Sequence, residues 1–94
     1  MWSVLFAKTA QKDAKKLKGA GLDGKAKALL AIVAENPFQN PPAYEKLVGN
    51  LSGLYSRRIS LKHRLVYEVL PPREGRDEQG VVKVLSMWTY YEQT

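Results

Sequence analysis

A proline-rich segment, Pro37–Gly53, divides this sequence into two parts with different hydrophobic periodicity. Before it, apolar residues recur at helical spacing in two stretches, and after it, runs rich in Tyr, Ile, Val and Leu indicate strands. The prolines and glycines of the segment exclude a long regular element, so we expect a surface loop in which Tyr44–Val48 forms one helical turn. A chain with this order has to pack its helices against a sheet.

One strand and two helices are predicted before this segment. Trp2–Ala7 is a short apolar stretch typical of a strand, and Thr9 is placed to cap the first helix. That helix ends at Gly19, and the second runs from about Leu22 to a stop at Asn36–Pro37. The polar surface of the first helix carries five lysines, which are Lys8, Lys12, Lys15, Lys16 and Lys18.

Three strands are predicted after the segment. Leu54–Leu61 and Arg64–Leu70 form a hairpin with a tight connection at Lys62–His63, and Val81–Trp88 is the last strand. Because the helix pair makes a crossover, the first strand is expected to pair in parallel with a later one. The prediction is therefore one α+β domain over residues 1–94, ordered β-α-α-β-β-β. Its two N-terminal helices pack on one face of a mainly antiparallel, twisted sheet.

The chain is basic, with 15 Lys and Arg against nine Asp and Glu and a net charge of +6. Residues 1–64 carry a net charge of +8 and residues 65–94 a net charge of −2. This balance indicates a polyanion, an acidic protein partner or both. No apolar run approaches about 18 residues and no basic segment precedes the apolar start, so we expect a soluble, cytoplasmic protein without a membrane partner.

The absence of cysteine excludes a thiol nucleophile and a thiolate metal site, and a single histidine excludes a histidine cluster. We therefore expect no metal and no cofactor. The remaining catalytic groups, carboxylates, arginines, lysines and tyrosines, suit phosphoryl chemistry. RNA carries its own nucleophile, the 2′-hydroxyl, so its cleavage needs only a base, a cation at the phosphate and an acid at the leaving oxygen. Basic residues cluster on the predicted hairpin: Arg57, Arg58, Lys62 and Arg64.

Each candidate group also has a structural role open to it. Because side chains alternate along a strand, Arg57 and Arg58 face opposite sides of the sheet, and each either binds phosphate or is solvated or paired with a carboxylate. Tyr55 either stacks on RNA bases or packs at an edge of the small core, and the same holds for Tyr90 and Tyr91.

Four further titratable residues also have two roles open to them. Glu45 in the proline-rich loop is either a catalytic base or a solvated carboxylate. His63, at a strand start, is predicted to be a turn or packing residue rather than a catalyst. The adjacent Asp77–Glu78 carboxylates lie near two arginines and are predicted to stay solvated rather than to bind magnesium.

The segment Asn50–Tyr67, NLSGLYSRRISLKHRLVY, strongly resembles the Txe/YoeB toxins of bacterial toxin–antitoxin modules. Their signature reads NLSG, an aromatic residue, SRRI and then HRLVY. Asn36–Phe38, the position of Glu45 five residues before Asn50, and the C-terminal SMWT also fit. At motif level the resemblance covers roughly Asn36–Tyr91.

The resemblance implies a microbial ribonuclease-type fold of the RelE superfamily. It also implies a metal-independent endoribonuclease that cuts messenger RNA on the ribosome, leaves a 2′,3′-cyclic phosphate and a 5′-hydroxyl, and inhibits translation. The implied partners are the ribosome, messenger RNA and an acidic antitoxin of the YefM/Phd kind that wraps around the toxin. Whether the chain also forms a homodimer stays open.

Site residues are carried over by position. Glu45 matches the proposed general base, Arg64 the arginine that stabilises the scissile phosphate, and Arg58 a basic residue near it. Tyr91 matches the terminal tyrosine of the catalytic site. Lys46, next to the glutamate, is a further RNA-binding candidate, although the family's usual lysine position is occupied here by Val48.

One departure from the family affects the proton donor. Family members commonly have His-Tyr at the end of the last strand, whereas this chain has Tyr90–Tyr91. A phenol, with a pKa of about 10, is a weaker acid than imidazolium. The leading hypothesis keeps Tyr90 or Tyr91 as the group that orients or protonates the leaving oxygen. The alternatives are a non-cleaving protein of the same fold that binds the ribosome or antitoxin, and a generic basic RNA-binding domain.

Overall fold

The structure, a computed structural model, describes residues 1–88, which form two helices and a five-stranded sheet. The elements in chain order are β1 (Ser3–Phe6), α1 (Lys8–Gly19), α2 (Asp23–Glu35), β2 (Glu45–Lys46), β3 (Leu54–Arg58), β4 (Arg64–Leu70) and β5 (Val81–Ser86). A short 3₁₀ turn, Gly49–Leu51, separates β2 from β3. The predicted α+β class, with both helices ahead of the hairpin, is confirmed.

The strands are ordered β1-β5-β4-β3-β2 across the sheet. β1 pairs in parallel with β5, with Val4 opposite Val82, and all other pairs are antiparallel. The parallel pairing confirms the predicted crossover, because the two helices return the chain to the starting end of the sheet. The site elements β2, β3 and β4 therefore lie together on one side of the sheet, away from β1.

The core lies between the helices and one face of the sheet. Apolar helix residues pack there against alternate residues of β4 and β5; the buried set is Ala10, Leu17, Ala26, Leu29, Val33, Leu65, Tyr67, Val82 and Val84. This arrangement follows from strand alternation, because Tyr67 and Val84 are register partners and point to the same side. Neither described helix is both long and apolar enough to cross a bilayer.

The start of α1 differs from the prediction. Thr9 does not cap the helix, which already begins at Lys8 after an extended Ala7 that makes no side-chain cap. The Ala7 backbone N–H donates to the Val84 carbonyl oxygen across 2.9 Å. Pairing with β5 thus holds Ala7 extended up to the first helical residue, and Thr9 falls inside the first turn.

The β3–β4 connection is also longer than predicted, because β3 ends at Arg58 rather than at Leu61. Residues 59–63 form a compact turn in which the backbone N–H groups of Ile59 and Ser60 both donate to the His63 carbonyl oxygen. β5 similarly ends at Ser86, two residues before the predicted end.

The predicted helical turn over Tyr44–Val48 is wrong. Glu45 and Lys46 instead form β2, with Glu45 opposite Ser56 and Lys46 opposite Tyr55 on β3. The Leu47 backbone N–H continues this pairing by donating to the Leu54 carbonyl oxygen across 2.9 Å. Strand pairing satisfies backbone groups that an isolated five-residue helical turn would leave to water. It also fixes which side of the sheet Glu45 faces.

Candidate active site

A cavity of about 320 Å³ opens on the sheet face opposite the helices. The end of the proline-rich loop forms one wall, and β3 and β4 form the other. Its lining residues are Pro42, Ala43, Tyr44, Glu45, Ser56, Arg58 and Arg64. Glu45, Ser56 and Arg58 reach this cavity because register and alternation place them on one face.

Two residues predicted to be catalytic meet in this cavity. Glu45 Oε1 lies 3.5 Å from Arg64 Nη2, and these side chains are 65% and 18% exposed, respectively. The guanidinium is therefore mostly enclosed while the carboxylate remains open to solvent and to a ligand. A long, half-exposed ion pair of this kind adds little to stability, so it leaves both groups available to a bound phosphodiester.

Arg58 completes the charged part of the cavity. It lies directly opposite Arg64 in the β3–β4 pair and shares its face, and it is exposed. Two guanidinium groups beside one carboxylate give the cavity a net positive charge. Guanidinium groups bind phosphate oxygens through charge-assisted, often bidentate hydrogen bonds, so the cavity suits an anionic phosphate.

Ser56 is a site residue that the sequence reasoning missed. Its Oγ accepts a hydrogen bond from Arg64 Nη1 across 3.2 Å, and the residue is 1% exposed. Strand alternation could have predicted this position, because Ser56 lies two residues before Arg58 and therefore faces the same side of the sheet. Ser56 and Glu45 thus hold the Arg64 guanidinium from two neighbouring strands.

Arg57, predicted to bind RNA, points away from this cavity and is 0% exposed. Its Nη1 donates to the Pro42 carbonyl oxygen at 2.7 Å, and its Nη2 donates to those of Pro37 at 3.0 Å and Gln39 at 2.8 Å. Its Nε donates to the Tyr67 hydroxyl at 3.1 Å. The interpretation of Arg57 as a phosphate ligand is therefore corrected, since loop carbonyls occupy its donors.

The Tyr67 hydroxyl extends this network. It donates to the Pro37 carbonyl oxygen across 2.7 Å while it accepts from Arg57. Burial raises the pKa of Tyr67 above its ordinary value, against the smaller opposing effect of the Arg57 hydrogen bond. The phenol therefore keeps the proton that it donates to the loop.

Lys46 and Tyr55, both predicted to contact RNA, are not brought together with Glu45. They are register partners on the face opposite to the cavity. Tyr55 is half-buried in an aromatic cluster, with ring centroids 5.4 Å from Phe38 and 5.7 Å from Tyr67. Lys46 is exposed at the sheet edge. Of the two roles predicted for Tyr55, stacking on RNA bases or packing in the core, the structure shows packing.

Three further predicted groups remain, and two of them cannot be placed relative to the cavity. Tyr90 and Tyr91 are outside the described residues. The His63 ring stacks on Trp88 with centroids 4.1 Å apart, and its Nδ1 contacts the Trp88 carbonyl oxygen. Within residues 1–88, His, Asp and Glu side chains form no group of three placed to hold a metal ion.

Glu78, predicted together with Asp77 to stay solvated rather than to bind magnesium, is instead enclosed, with its side chain 4% exposed. Its Oε1 lies 2.8 Å from Arg73 Nη2 and accepts a hydrogen bond from the Ser3 hydroxyl at 2.8 Å. The Arg73 side chain and backbone N–H lower the pKa of Glu78 to about 2. This cluster ties the loop before β5 to β1, on the side of the sheet away from β2.

Comparison with known sequences gives the family resemblance independent support. The family model described as "YoeB-like toxin of bacterial type II toxin-antitoxin system" matches residues 6–91. Toxin YoeB of Synechocystis sp. is 42% identical over 59 residues, which make up 63% of this chain and 62% of that protein. The chain spans less than two thirds of the length of the first curated relatives that it matches.

Comparison with solved structures extends the similarity over the described fold. A YoeB/ParE toxin from Agrobacterium tumefaciens has a TM-score of 0.78, covers 95% of this chain and 99% of its own, and is 23% identical. A YoeB–YefM complex from Staphylococcus aureus contains a chain with a TM-score of 0.73 and 31% identity, covering 97% of this chain and 99% of its own. The first of these similarities concerns the fold alone.

Proposed function

The chain belongs to the YoeB-like toxin family of bacterial type II toxin–antitoxin systems, and we propose that it is a metal-independent endoribonuclease that cleaves messenger RNA on the ribosome. The observation that carries the proposal is the meeting of the Glu45 carboxylate and the Arg64 guanidinium, 3.5 Å apart, in an open cationic cavity. A base beside a phosphate-binding cation supplies two of the three groups that cleavage through the 2′-hydroxyl requires, the third being an acid at the leaving oxygen.

In the proposed reaction, Glu45 takes the proton of the 2′-hydroxyl. The 2′-oxygen then attacks the adjacent phosphorus, forming the new O–P bond while the bond from phosphorus to the 5′-oxygen breaks. Arg64 and Arg58 bind the non-bridging oxygens, where negative charge accumulates in the transition state. Protonation of the leaving 5′-oxygen yields a 5′-hydroxyl and a 2′,3′-cyclic phosphate, so atoms and charge balance without a metal.

Tyr90 or Tyr91 is proposed as the group that orients or protonates the leaving oxygen. Neutral phenols hold their proton at pH 7 and are therefore able to donate it. Transfer becomes easier where neighbouring guanidinium groups lower the pKa of the phenol. This assignment depends on the match between Tyr90–Tyr91 and the His-Tyr pair that family members commonly have at the end of the last strand.

The proposed partners are an acidic antitoxin and the ribosome. A 31% identical relative from Staphylococcus aureus forms a complex with YefM, and a 28% identical one is a YoeB dimer. We propose an acidic antitoxin segment that covers Arg58 and Arg64, with a homodimer as a further assembly. The lysines of α1 are all exposed, and we propose that they contact ribosomal RNA phosphates.

Primer extension on translated messages tests the proposal. Induction of the wild-type chain is expected to create new 5′ ends within coding regions, and these ends should carry a 5′-hydroxyl that requires phosphorylation before ligation. The double variant Glu45→Ala with Arg64→Ala should abolish them. Glu74→Gln, which changes an exposed carboxylate in the loop before β5, is the matched control and should leave cleavage intact. Unchanged cleavage in the double variant would overturn the assignment.

A second candidate function, a non-cleaving binding protein of the same fold, is favoured by one observation. Tyr90 stands where family members commonly have histidine, so the usual proton donor is replaced. This candidate predicts growth arrest without new RNA ends, and no gain of cleavage in Tyr90→His. New RNA 5′ ends that disappear when Glu45 is replaced would support the nuclease and contradict this second candidate.

A further inference from the structure

Arg57 is a cation enclosed in the protein and surrounded by carbonyl oxygens. Its guanidinium makes four hydrogen bonds, three to loop carbonyls and one to the Tyr67 hydroxyl. Within residues 1–88, no Asp or Glu carboxylate forms an ion pair with Arg57. Burial of an arginine is costly unless its donors are satisfied, so the loop has to keep the shape that supplies these carbonyls.

The loop that Arg57 holds is also the wall of the candidate active site. Pro42, whose carbonyl oxygen accepts from Nη1, lines the cavity and precedes Glu45 by three residues. The intervening Tyr44 places its ring 5.0 Å from the Arg57 guanidinium carbon. Arg57 therefore contacts the segment before Glu45 at two points, while β3 pairing fixes Glu45 itself.

We propose that Arg57 is a positioning residue that sets the geometry of the Glu45–Arg64 pair by clamping residues 37–44. This inference rests on the proposed nuclease function for its catalytic consequence. Arg57 and Arg58 are thus neighbours in sequence with separate roles. Arg58 faces the substrate, whereas Arg57 acts from the other side of the sheet through the loop that leads to the base.

The chemistry of the clamp requires an arginine. A guanidinium carries five N–H donors in a rigid fork, and here the fork reaches carbonyls at three loop positions as well as the Tyr67 hydroxyl. A lysine ammonium at the end of a flexible stem keeps the charge but lacks this planar fork. Arg57→Lys is therefore expected to preserve charge while loosening the loop.

The test compares Arg57→Lys with Arg73→Lys, a matched change at an arginine that orders a different loop. Single-turnover cleavage of ribosome-bound message should be about 100-fold slower in Arg57→Lys, because misplacement of a catalytic group by about 1 Å costs this much. The concentration of ribosome-bound message that gives half the maximal rate should stay within about threefold of the wild-type value, since Arg58 and Arg64 still bind the phosphate. Arg73→Lys should cleave at the wild-type rate. Equal rates in the two variants would overturn the inference.

Backbone amide exchange supplies a readout that does not depend on activity. Leu47 lies two residues after Glu45, and its backbone N–H donates to the Leu54 carbonyl oxygen. This amide should exchange faster in Arg57→Lys than in wild type. The Ala7 amide, bonded to Val84 at the other edge of the sheet, should be unaffected. Absence of wild-type cleavage would refute the proposed function, whereas unchanged Leu47 exchange would refute the clamp.

A milder variant covers the case in which Arg57→Lys does not fold. Tyr67→Phe removes only the hydroxyl that joins Arg57 Nε to the Pro37 carbonyl oxygen. It should lower the cleavage rate by about tenfold, consistent with one lost hydrogen bond to a charged group. A wild-type rate and wild-type Leu47 exchange in folded Tyr67→Phe would contradict the inference.

Discussion

The buried Ser56 hydroxyl accepts a hydrogen bond from Arg64 Nη1 across 3.2 Å. Ser56 lies opposite Val66 in the β3–β4 pair, so the Arg64 side chain runs diagonally across the sheet to reach it. This contact directs the guanidinium toward β2, where Glu45 lies on the same face of the sheet. The guanidinium that we propose as the phosphate ligand is therefore already oriented by the protein's own contacts, which is the arrangement that electrostatic catalysis requires.

Ser56→Ala should slow cleavage by about tenfold, because a hydrogen bond to a charged group is worth about 1.5 kcal/mol or more. Single-turnover rates on ribosome-bound message measure the effect. If Ser56 acts through Arg64, Ser56→Ala should cost nothing further in an Arg64→Ala background. Equal losses in both backgrounds would show that Ser56 does not act by orienting Arg64.

Neutralising α1 lysines should weaken ribosome binding in a salt-dependent way. Lys12 and Lys16 are exposed and lie one helical turn apart. Each phosphate contact contributes about 0.7 to 0.9 to the slope of log affinity against log salt, so Lys12→Gln with Lys16→Gln should flatten that slope by about 1.5. The control is Lys25→Gln with Lys27→Gln on α2. Equal flattening by both pairs would argue against α1 as the docking surface.

The sequence predicts the fold wherever a long pattern repeats, and fails where a short segment depends on distant partners. The helices and the main strands have enough residues to show their periodicity. Strand β2 has only two residues, and its conformation comes from pairing with Tyr55 and Ser56, which lie nine and eleven positions after their partners. No local pattern distinguishes such a segment from a helical turn.

Arg57 illustrates the same limit for the site. Alternation correctly predicts that Arg57 and Arg58 face opposite sides of the sheet, but not which of them is enclosed. The carbonyls that satisfy Arg57 come from residues 15 to 20 positions earlier, in a loop without regular structure. Only the folded loop makes burial of that charge tolerable. The meeting of Glu45 and Arg64, in contrast, is expected from the family motif and is found in the structure.

Asp13 on α1 is predicted to be important for stability. The residue is 3% exposed, and its Oδ2 accepts a hydrogen bond from the Met87 backbone N–H across 2.9 Å. Asp13→Ala leaves this buried N–H without a partner and should lower the free energy of unfolding by about 1–3 kcal/mol. Asp13→Asn keeps an acceptor and should cost less. Urea denaturation measures both, and an Ala variant as stable as wild type would contradict this role.

Glu78 should make the stability of the fold sensitive to acid. Hydrogen bonds from Arg73 lower the pKa of Glu78 from its ordinary 4.5 to about 2 in the folded state. Between these values the unfolded chain binds more protons than the folded chain, so stability is fully present above about pH 4.5 and is lost as the pH falls toward 2. Glu78→Gln should therefore have a lower urea midpoint than wild type at pH 7.

The difference between wild type and Glu78→Gln should shrink steadily as the pH falls from 5, because protonated Glu78 and glutamine are both neutral. Glu74→Gln, a change at an exposed carboxylate of the same loop, serves as the control for general charge effects. A gap between Glu78→Gln and wild type that stays constant from pH 7 down to pH 2 would contradict the linkage. It would mean that the loop is held by the Ser3 contact and not by the ionised pair with Arg73.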